Sequence, residues 1–210
     1  MANYFDMNRR EFLRHSGLTG AMIIGTTFAG NLALAAGKNN PAATDANLFI
    51  ALLDDGRIDI TCHRSEMGQH TRTAITQILA DELEADWKQI NVVQATGDAI
   101  YGDQNTDGSK SIRTNFTRLR NAAATLRQML EQAAARRWRL PQQQCQAELG
   151  RVIHSSGKSF SYAELAADLK AISPPSETDI TLKPAERWRY INKGIAAVDM
   201  DDILTGVATY

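Results

Sequence analysis

Two glycines, each ahead of a helical pattern, mark the chain's best candidates for ligand binding. The stretch Arg64-Ser65-Glu66-Met67-Gly68-Gln69-His70-Thr71-Arg72-Thr73 sets Gly68 between a β-prone run and a helical pattern. Glycine takes positive φ and lets a ligand approach the backbone without meeting a Cβ. A helix start leaves N–H groups without intrahelical partners, beside the positive end of the helix dipole, which suits phosphate or pyrophosphate. The device recurs in Asn105-Thr106-Asp107-Gly108-Ser109-Lys110-Ser111, which feeds a second helical pattern. Two such helix starts could converge on one polyanion. Taken singly, a glycine before a helix is more often a plain turn. Lys110, Arg113, Arg118 and Arg120 add positive charge there, although basic residues on a helix face are most often simply solvated.

Other chemistry is sparse. The chain has no Gly-x-Ser-x-Gly elbow, Walker loop or dinucleotide fingerprint. His15, His63, His70 and His154 are scattered, and Asp98, Asp103 and Asp107 do not have EF-hand spacing. No catalytic or metal-ligating residue is assigned from the residues alone. Cys62 and Cys145 each fall in a strand-like run and read as buried free thiols. A formal net charge of −1 over 210 residues gives no global field for nucleic acid or an anionic membrane.

The elements that must position these loops follow from periodicity. Residues 47–53 and 58–62 read as strands joined through Asp54-Asp55-Gly56-Arg57, a hairpin that delivers the chain into the first loop. Ile75, Ile78, Leu79 and Leu83 make one helical stripe over 71–84, with Thr71 a better N-cap than His70. Ile90–Gln94 reads as a short strand. Ile112, Phe116, Leu119, Ala123, Leu126, Leu130 and Ala133 keep helical steps to about Trp138, and Pro141 lies just beyond. Cys145–Leu149 and Arg151–His154 read as a hairpin and Ser159–Phe160 as a strand stub. Ser161 and Glu164 form a capping box. Glu177 to Tyr210 has weak periodicity, looks extended, and holds the aromatic–basic run Arg187-Trp188-Arg189-Tyr190-Ile191. The expected fold class is α+β, with helices packed on small mixed β-sheets.

The N-terminus carries Asn8-Arg9-Arg10-Glu11-Phe12-Leu13-Arg14, then a mildly apolar run from Gly17 to Ala35 ending in Ala33-Leu34-Ala35. This looks like a twin-arginine export signal with a small-x-small cleavage pattern. The expected division is a signal over 1–36 with an export-signal helix, a linker over 37–46, a partial cofactor-binding domain over 47–173 and an extended connector over 174–210. The expected location is periplasmic. An uncleaved signal would tether the chain to the inner membrane.

From Asn47 onward the sequence resembles the large, molybdopterin-binding subunit of the molybdenum hydroxylases, within the xanthine dehydrogenase/aldehyde oxidase superfamily. It is most similar there to the isoquinoline 1-oxidoreductase β-subunit and membrane-associated aldehyde dehydrogenases. The resemblance rests on Arg64 to Gln69, Ala80-Asp81-Glu82-Leu83-Glu84-Ala85-Asp86-Trp87, Val93 to Asp98 and Thr106 to Ser111. It continues through Cys145-Gln146-Ala147, Gly150 to His154 and Ser161 to Leu165. It implies binding of molybdopterin cytosine dinucleotide and hydroxylation of an aldehyde or aromatic N-heterocycle. Electrons would pass to a small subunit carrying [2Fe–2S] clusters. By carry-over, the cofactor-contacting residues are Met67, Gly68, Gln69 and His70, with Thr106, Asp107, Gly108, Ser109, Lys110 and Ser111. The family's second glycine is His70 here, where a side chain would crowd the pterin or forbid the glycine backbone angle.

The family chain is several times longer, and its catalytic glutamate falls outside these residues. The expectation is therefore an N-terminal or split part of a multidomain large subunit, inactive alone, whose partners are the rest of that subunit and the iron–sulfur subunit. The alternative is a non-catalytic remnant or an assembly module that docks on the iron–sulfur subunit.

Overall fold

The computed structural model describes residues 22–23, 49–97 and 99–208. Nearly all of the expected signal and the whole 37–46 linker lie outside the described residues. Met22–Ile23 (β1), inside the segment read as a signal helix, form a strand instead, pairing antiparallel with Ile50–Leu52 (β2). Pairing satisfies backbone groups that β2 would otherwise leave open at a sheet edge.

β2 and Ile58–Cys62 (β3) make the expected hairpin, with Ile50 opposite Ile60 and Leu52 opposite Ile58. Ile58, Ile60 and Cys62 are buried, while Asp59 and Thr61 between them are half-buried, the period-two signature of a strand with one face on a core. The chain then crosses through Thr71–Leu83 (α1) to Ile90–Gln94 (β4), which pairs parallel to β3. The sheet runs β1-β2-β3-β4.

The long helical pattern is broken near its start. Lys110–Arg113 (α2) is separated from Phe116–Trp138 (α3) by Thr114 and Asn115. The Asn115 side chain donates to the Ser111 carbonyl, an interaction that competes with helix continuation. Both α1 and α3 contribute to one core: Ile75, Leu79 and Leu83 meet Leu119, Ala123, Leu126 and Leu130 over the apolar face of the sheet. The alanines of α3 bring the helix axes close without voids.

Beyond α3, Cys145–Glu148 (β5), Arg151–His154 (β6) and Ser159–Ser161 (β7) form a second, antiparallel sheet. Ser161 and Glu164 cap Tyr162–Ala166 (α4) as a reciprocal capping box. The fold is α+β, as expected. Both cysteines are free and buried, and burial pushes the Cys62 thiol up to about 11.

The segment read as an extended connector has more structure than that. It contains single turns at Glu177–Asp179 and Ala185–Arg187 and a short helix, Met200–Thr205 (α5). It also binds tightly to α1. Asp81 Oδ2 accepts from the Tyr190 and Ile191 amides, both at 2.8 Å, and Asp81 Oδ1 takes Lys183 Nζ at 2.6 Å. Lys183 also meets Glu84 at 2.8 Å, and Glu82 takes Arg120 and Arg127. An acidic helix C-terminus is unfavourable by itself, and the strap supplies the opposing charge. α1 is thus covered on its polar side as well as its apolar side.

Candidate functional site

The two glycine loops come together. The Ser65 amide donates to the Gln104 carbonyl at 3.2 Å, and Thr106 Oγ1 donates to the Ser65 carbonyl at 2.6 Å. Arg64 lies beneath them, 4% exposed, and donates to the Asp103 carboxylate at 3.0 Å and to the Asn105 carbonyl. The hairpin and the β3-α1-β4 crossover deliver the first loop, and the 95–109 connection delivers the second, so the starts of α1 and α2 share one surface.

Both helices are entered through a left-handed residue. His70 sits at φ 62 and ψ 31, and Ser109 at φ 56 and ψ 31. His70, not Thr71, is the N-cap of α1, and it makes no side-chain cap. An imidazole therefore does not forbid a left-handed angle at this position. The αL basin is sterically open to L-residues, at an energetic cost of about 1 kcal/mol.

The open anion seat expected at α1 is already filled, and by a residue of the chain itself. Glu66 Oε1 accepts from the Gly68 amide at 2.8 Å and the His70 amide at 3.0 Å, and its Oε2 accepts from the Arg72 amide at 3.0 Å. Burial alone would push this carboxyl up. The backbone donors, Arg72 first, outweigh it and hold the carboxyl below its usual value. Gln69 closes the loop further: its Oε1 accepts from the Met67 amide, and its Nε2 donates to Ser65 and Thr71. Reading the residues missed Glu66 as the cap. The available signal was a carboxylate four residues ahead of His70 with a glycine between them.

Glu66→Gln keeps the shape but turns one acceptor oxygen into a donor facing the Arg72 amide. We expect a loss of about 1–2 kcal/mol in a urea melt at pH 7, as for a lost charged cap. The wild-type advantage should shrink in acid, because a carboxylate with a lowered folded-state value stabilises above its unfolded value and loses that effect as it protonates. An unchanged midpoint would refute the capping role.

Of the ten sequence-derived site residues, Met67, Gly68, Gln69 and His70 are exposed on one side of this surface. Asp107, Gly108, Ser109 and Lys110 are exposed on the other, and Thr106 is half-buried between the loops. Ser111 is buried and does not share the surface. Met67 is 65% exposed, unusual for so apolar a side chain. Among the described residues, no group of three or more His, Cys, Asp or Glu is placed to hold a metal ion.

The molybdopterin cofactor-binding domain profile matches residues 3–202. The chain belongs to this family. The beta subunit of isoquinoline 1-oxidoreductase from Brevundimonas diminuta is 35% identical over 173 residues, covering 78% of this chain and 22% of that protein. A nicotinate dehydrogenase subunit from Pseudomonas putida is 33% identical over 163 residues, covering 78% and 14%. The membrane-bound aldehyde dehydrogenase (pyrroloquinoline-quinone) of Gluconacetobacter polyoxogenes is 30% identical over 172 residues, covering 80% and 22%. The chain therefore spans only 14% to 22% of the length of these relatives. Among solved structures, quinoline 2-oxidoreductase from Pseudomonas putida 86 is similar with a TM-score of 0.47 and 21% identity, over 63% of this chain and 17% of that one.

The two loops form an open surface rather than a closed pocket, so they would offer a molybdopterin one wall of a site. A Cβ placed on Gly68 would meet nothing within 4 Å, so the surface at the first loop is open. Asp107, Ser109 and Lys110 of the second loop are exposed, with the Lys110 ammonium 3.5 Å from the Asp107 carboxylate. The start of α1 does not fit a phosphate, because Glu66 holds its donors and adds negative charge.

Proposed function

We propose that this chain supplies one wall of a molybdopterin dinucleotide site in a periplasmic molybdenum hydroxylase acting on aldehydes or N-heterocycles. The observation that carries the reading is the locking of the two loops through Ser65, Gln104 and Thr106, which makes Met67–His70 and Asp107–Lys110 a single surface. Family membership supports molybdopterin as the kind of group such a surface would serve.

In this reading Gly68 leaves room for the pterin, Met67 covers it from water, and Lys110 and Ser109 address the anionic part away from Glu66. Arg64 holds the loops in register from below. When bound, molybdenum supplies oxygen-atom transfer and accepts two electrons. In this reading the side chains here bind and orient. The form with cytosine dinucleotide, the [2Fe–2S] subunit as electron acceptor and the remainder of the large subunit as partner belong to the same proposal. So do export over 1–36 by the twin-arginine route, the 37–46 linker and a cofactor-binding unit over 47–173.

The test is metal and nucleotide content of the assembled, exported complex. We expect about one molybdenum and one cytidine monophosphate released by acid per copy of this chain. His70→Gly, which relieves the left-handed strain and the side-chain bulk, should raise retention on dilution and stabilise the fold by up to about 1 kcal/mol. Complexes free of both molybdenum and cytidine would overturn the reading. The capping of α1 by Glu66 favours a second reading, a non-catalytic module that docks on the iron–sulfur subunit. Co-purification of that subunit without molybdenum would support it.

A further inference from the structure

β4 is the last strand of its sheet, and among the described residues no strand pairs with its outer side. A cleft of about 340 Å³ runs along it. Ile90, Asn91 and Val92 all border this cleft. Side chains of consecutive strand residues point to opposite faces, so a cleft bordered by three in a row lies at the strand's edge rather than over a face. The far wall is the segment before and within α5, with Asp199 and Asp202. The cleft is therefore a slot between an open strand edge and an acidic wall.

Two details give the slot a chemistry. Asp199 is 8% exposed, and its Oδ1 has no hydrogen-bond partner. Its Oδ2 reaches Arg72 only at 3.5 Å. A buried carboxylate oxygen without a donor is unfavourable, more so when charged, and an incoming donor would relieve it. Arg72 is divided between Asp199 and Gln94, and Asp202 adds a second carboxylate, so the slot is net negative. Trp87 and Ile90 offer apolar surface along which a long basic side chain could lay its methylenes. The edge itself, Ile-Asn-Val-Val-Gln, has none of the Lys, Pro or bulge devices that keep exposed strands from pairing, and Val93 is 38% exposed.

We propose that β4 is a docking edge for an extended, basic polypeptide segment of a partner chain, which adds as a further strand and places an Arg or Lys on Asp199 and Asp202. Main-chain pairing gives such a site its affinity, and the acidic wall its selectivity. The proposal stands apart from the cofactor reading, since the slot is lined by none of the ten cofactor-site residues.

The test titrates the full chain by calorimetry with two blocked hexapeptides of alternating Thr and Val, one with a central Arg and one with Gln there. The Arg peptide should bind saturably and about tenfold more tightly, a difference of ~1.4 kcal/mol. Asp199→Asn should remove most of that preference, and Asp202→Asn, on an exposed side chain that folding does not need, should reduce it. N-methylation of alternate peptide amides should weaken binding about tenfold or more. Absence of saturable binding up to about 5 mM would overturn the proposal. So would equal affinity for the two peptides, or indifference to both Asp variants. A concentration-dependent dimer competing with the peptide would assign the edge to a second copy of this chain, and would overturn it as well.

Discussion

Replacing Lys183 by Met should destabilise the domain by about 3–5 kcal/mol, because it leaves buried Asp81 without its counter-ion and Glu84 with only Arg189, at 3.5 Å. Lys183 is 5% exposed, with Nζ at 2.6 Å from Asp81 and 2.8 Å from Glu84. Asp81 and Glu82 are fully buried, and their nearest alternatives, Arg120 and Arg127, are engaged by Glu82 and by strap carbonyls. Met fills much of the Lys volume, so the loss reports charge rather than a cavity. Burial pushes the Asp81 carboxyl up, but the Ile191 and Tyr190 amides and Lys183 hold it below its usual value. The anion therefore persists at neutral pH and must be answered. For a chain of this size the loss corresponds to a fall in Tm of roughly 10 °C. If K183M melts within about 1 kcal/mol of wild type, the cluster is solvated and the charge-pairing explanation fails. Pairing K183M with Asp81→Asn should recover part of the loss, since the amide oxygen still accepts from the Tyr190 and Ile191 amides while the unanswered charge is gone.

The second large effect is a dependence on acid through His63. Its ring is fully buried at the end of β3, edge-on to Phe49 at 5.0 Å, with neither nitrogen closing a hydrogen bond. Asn115 faces it without completing one. Arg64 and Arg118 lie close by, and Asp103 is the nearest opposing charge. Burial first, then the two guanidiniums, holds the imidazole down at about 4 against an ordinary 6.5. The unfolded chain thus binds a proton that the folded chain refuses. Stability is highest above pH 6.5 and falls as pH drops, with the loss complete below about 4. Its size is about 3 kcal/mol for this shift. Urea melts at about pH 7 and about pH 4.5 should show His63→Phe losing less stability between the two than wild type, by most of that amount. His63→Gln, which keeps polarity but cannot titrate, should behave alike. Parallel losses in all three proteins would remove His63 as the cause.

The sequence exposed the scaffold more fully than the bonds that close it. Strand alternation from Ile58 to Cys62, the Asp-Gly turn, the stripe from Ile75 to Leu83 and the capping box at Ser161 are local patterns, and each forms as read. The pairing of the two glycine loops was also inferable, because both precede helix starts. What escaped has no local signature. The strap from Lys183 to Ile191 lacks periodicity because its bonds are to residues about a hundred positions away. Glu66 looked like one loop carboxylate among several until its three backbone donors were in place. The break at Thr114–Asn115 hides under an unbroken apolar stripe, since burial on α3 does not require the helix to be continuous. Parallel pairing of β4 with β3 follows from a crossover that short apolar runs do not announce.

The acidic end of α1 has a consequence for how the chain comes off the ribosome. Asp81, Glu82 and Glu84 are made about a hundred residues before Lys183, the cation that answers two of them. Until the strap emerges, Asp81 and Glu84 would have to be buried uncompensated or kept in water, since only Glu82 finds its cations on α3. Water is the cheaper choice, so α1 cannot settle fully against α3 in a nascent chain that stops short of the strap. Late closure of this kind keeps the unfinished domain loose and recognisable to chaperones. It makes docking of the strap the step that commits the rest.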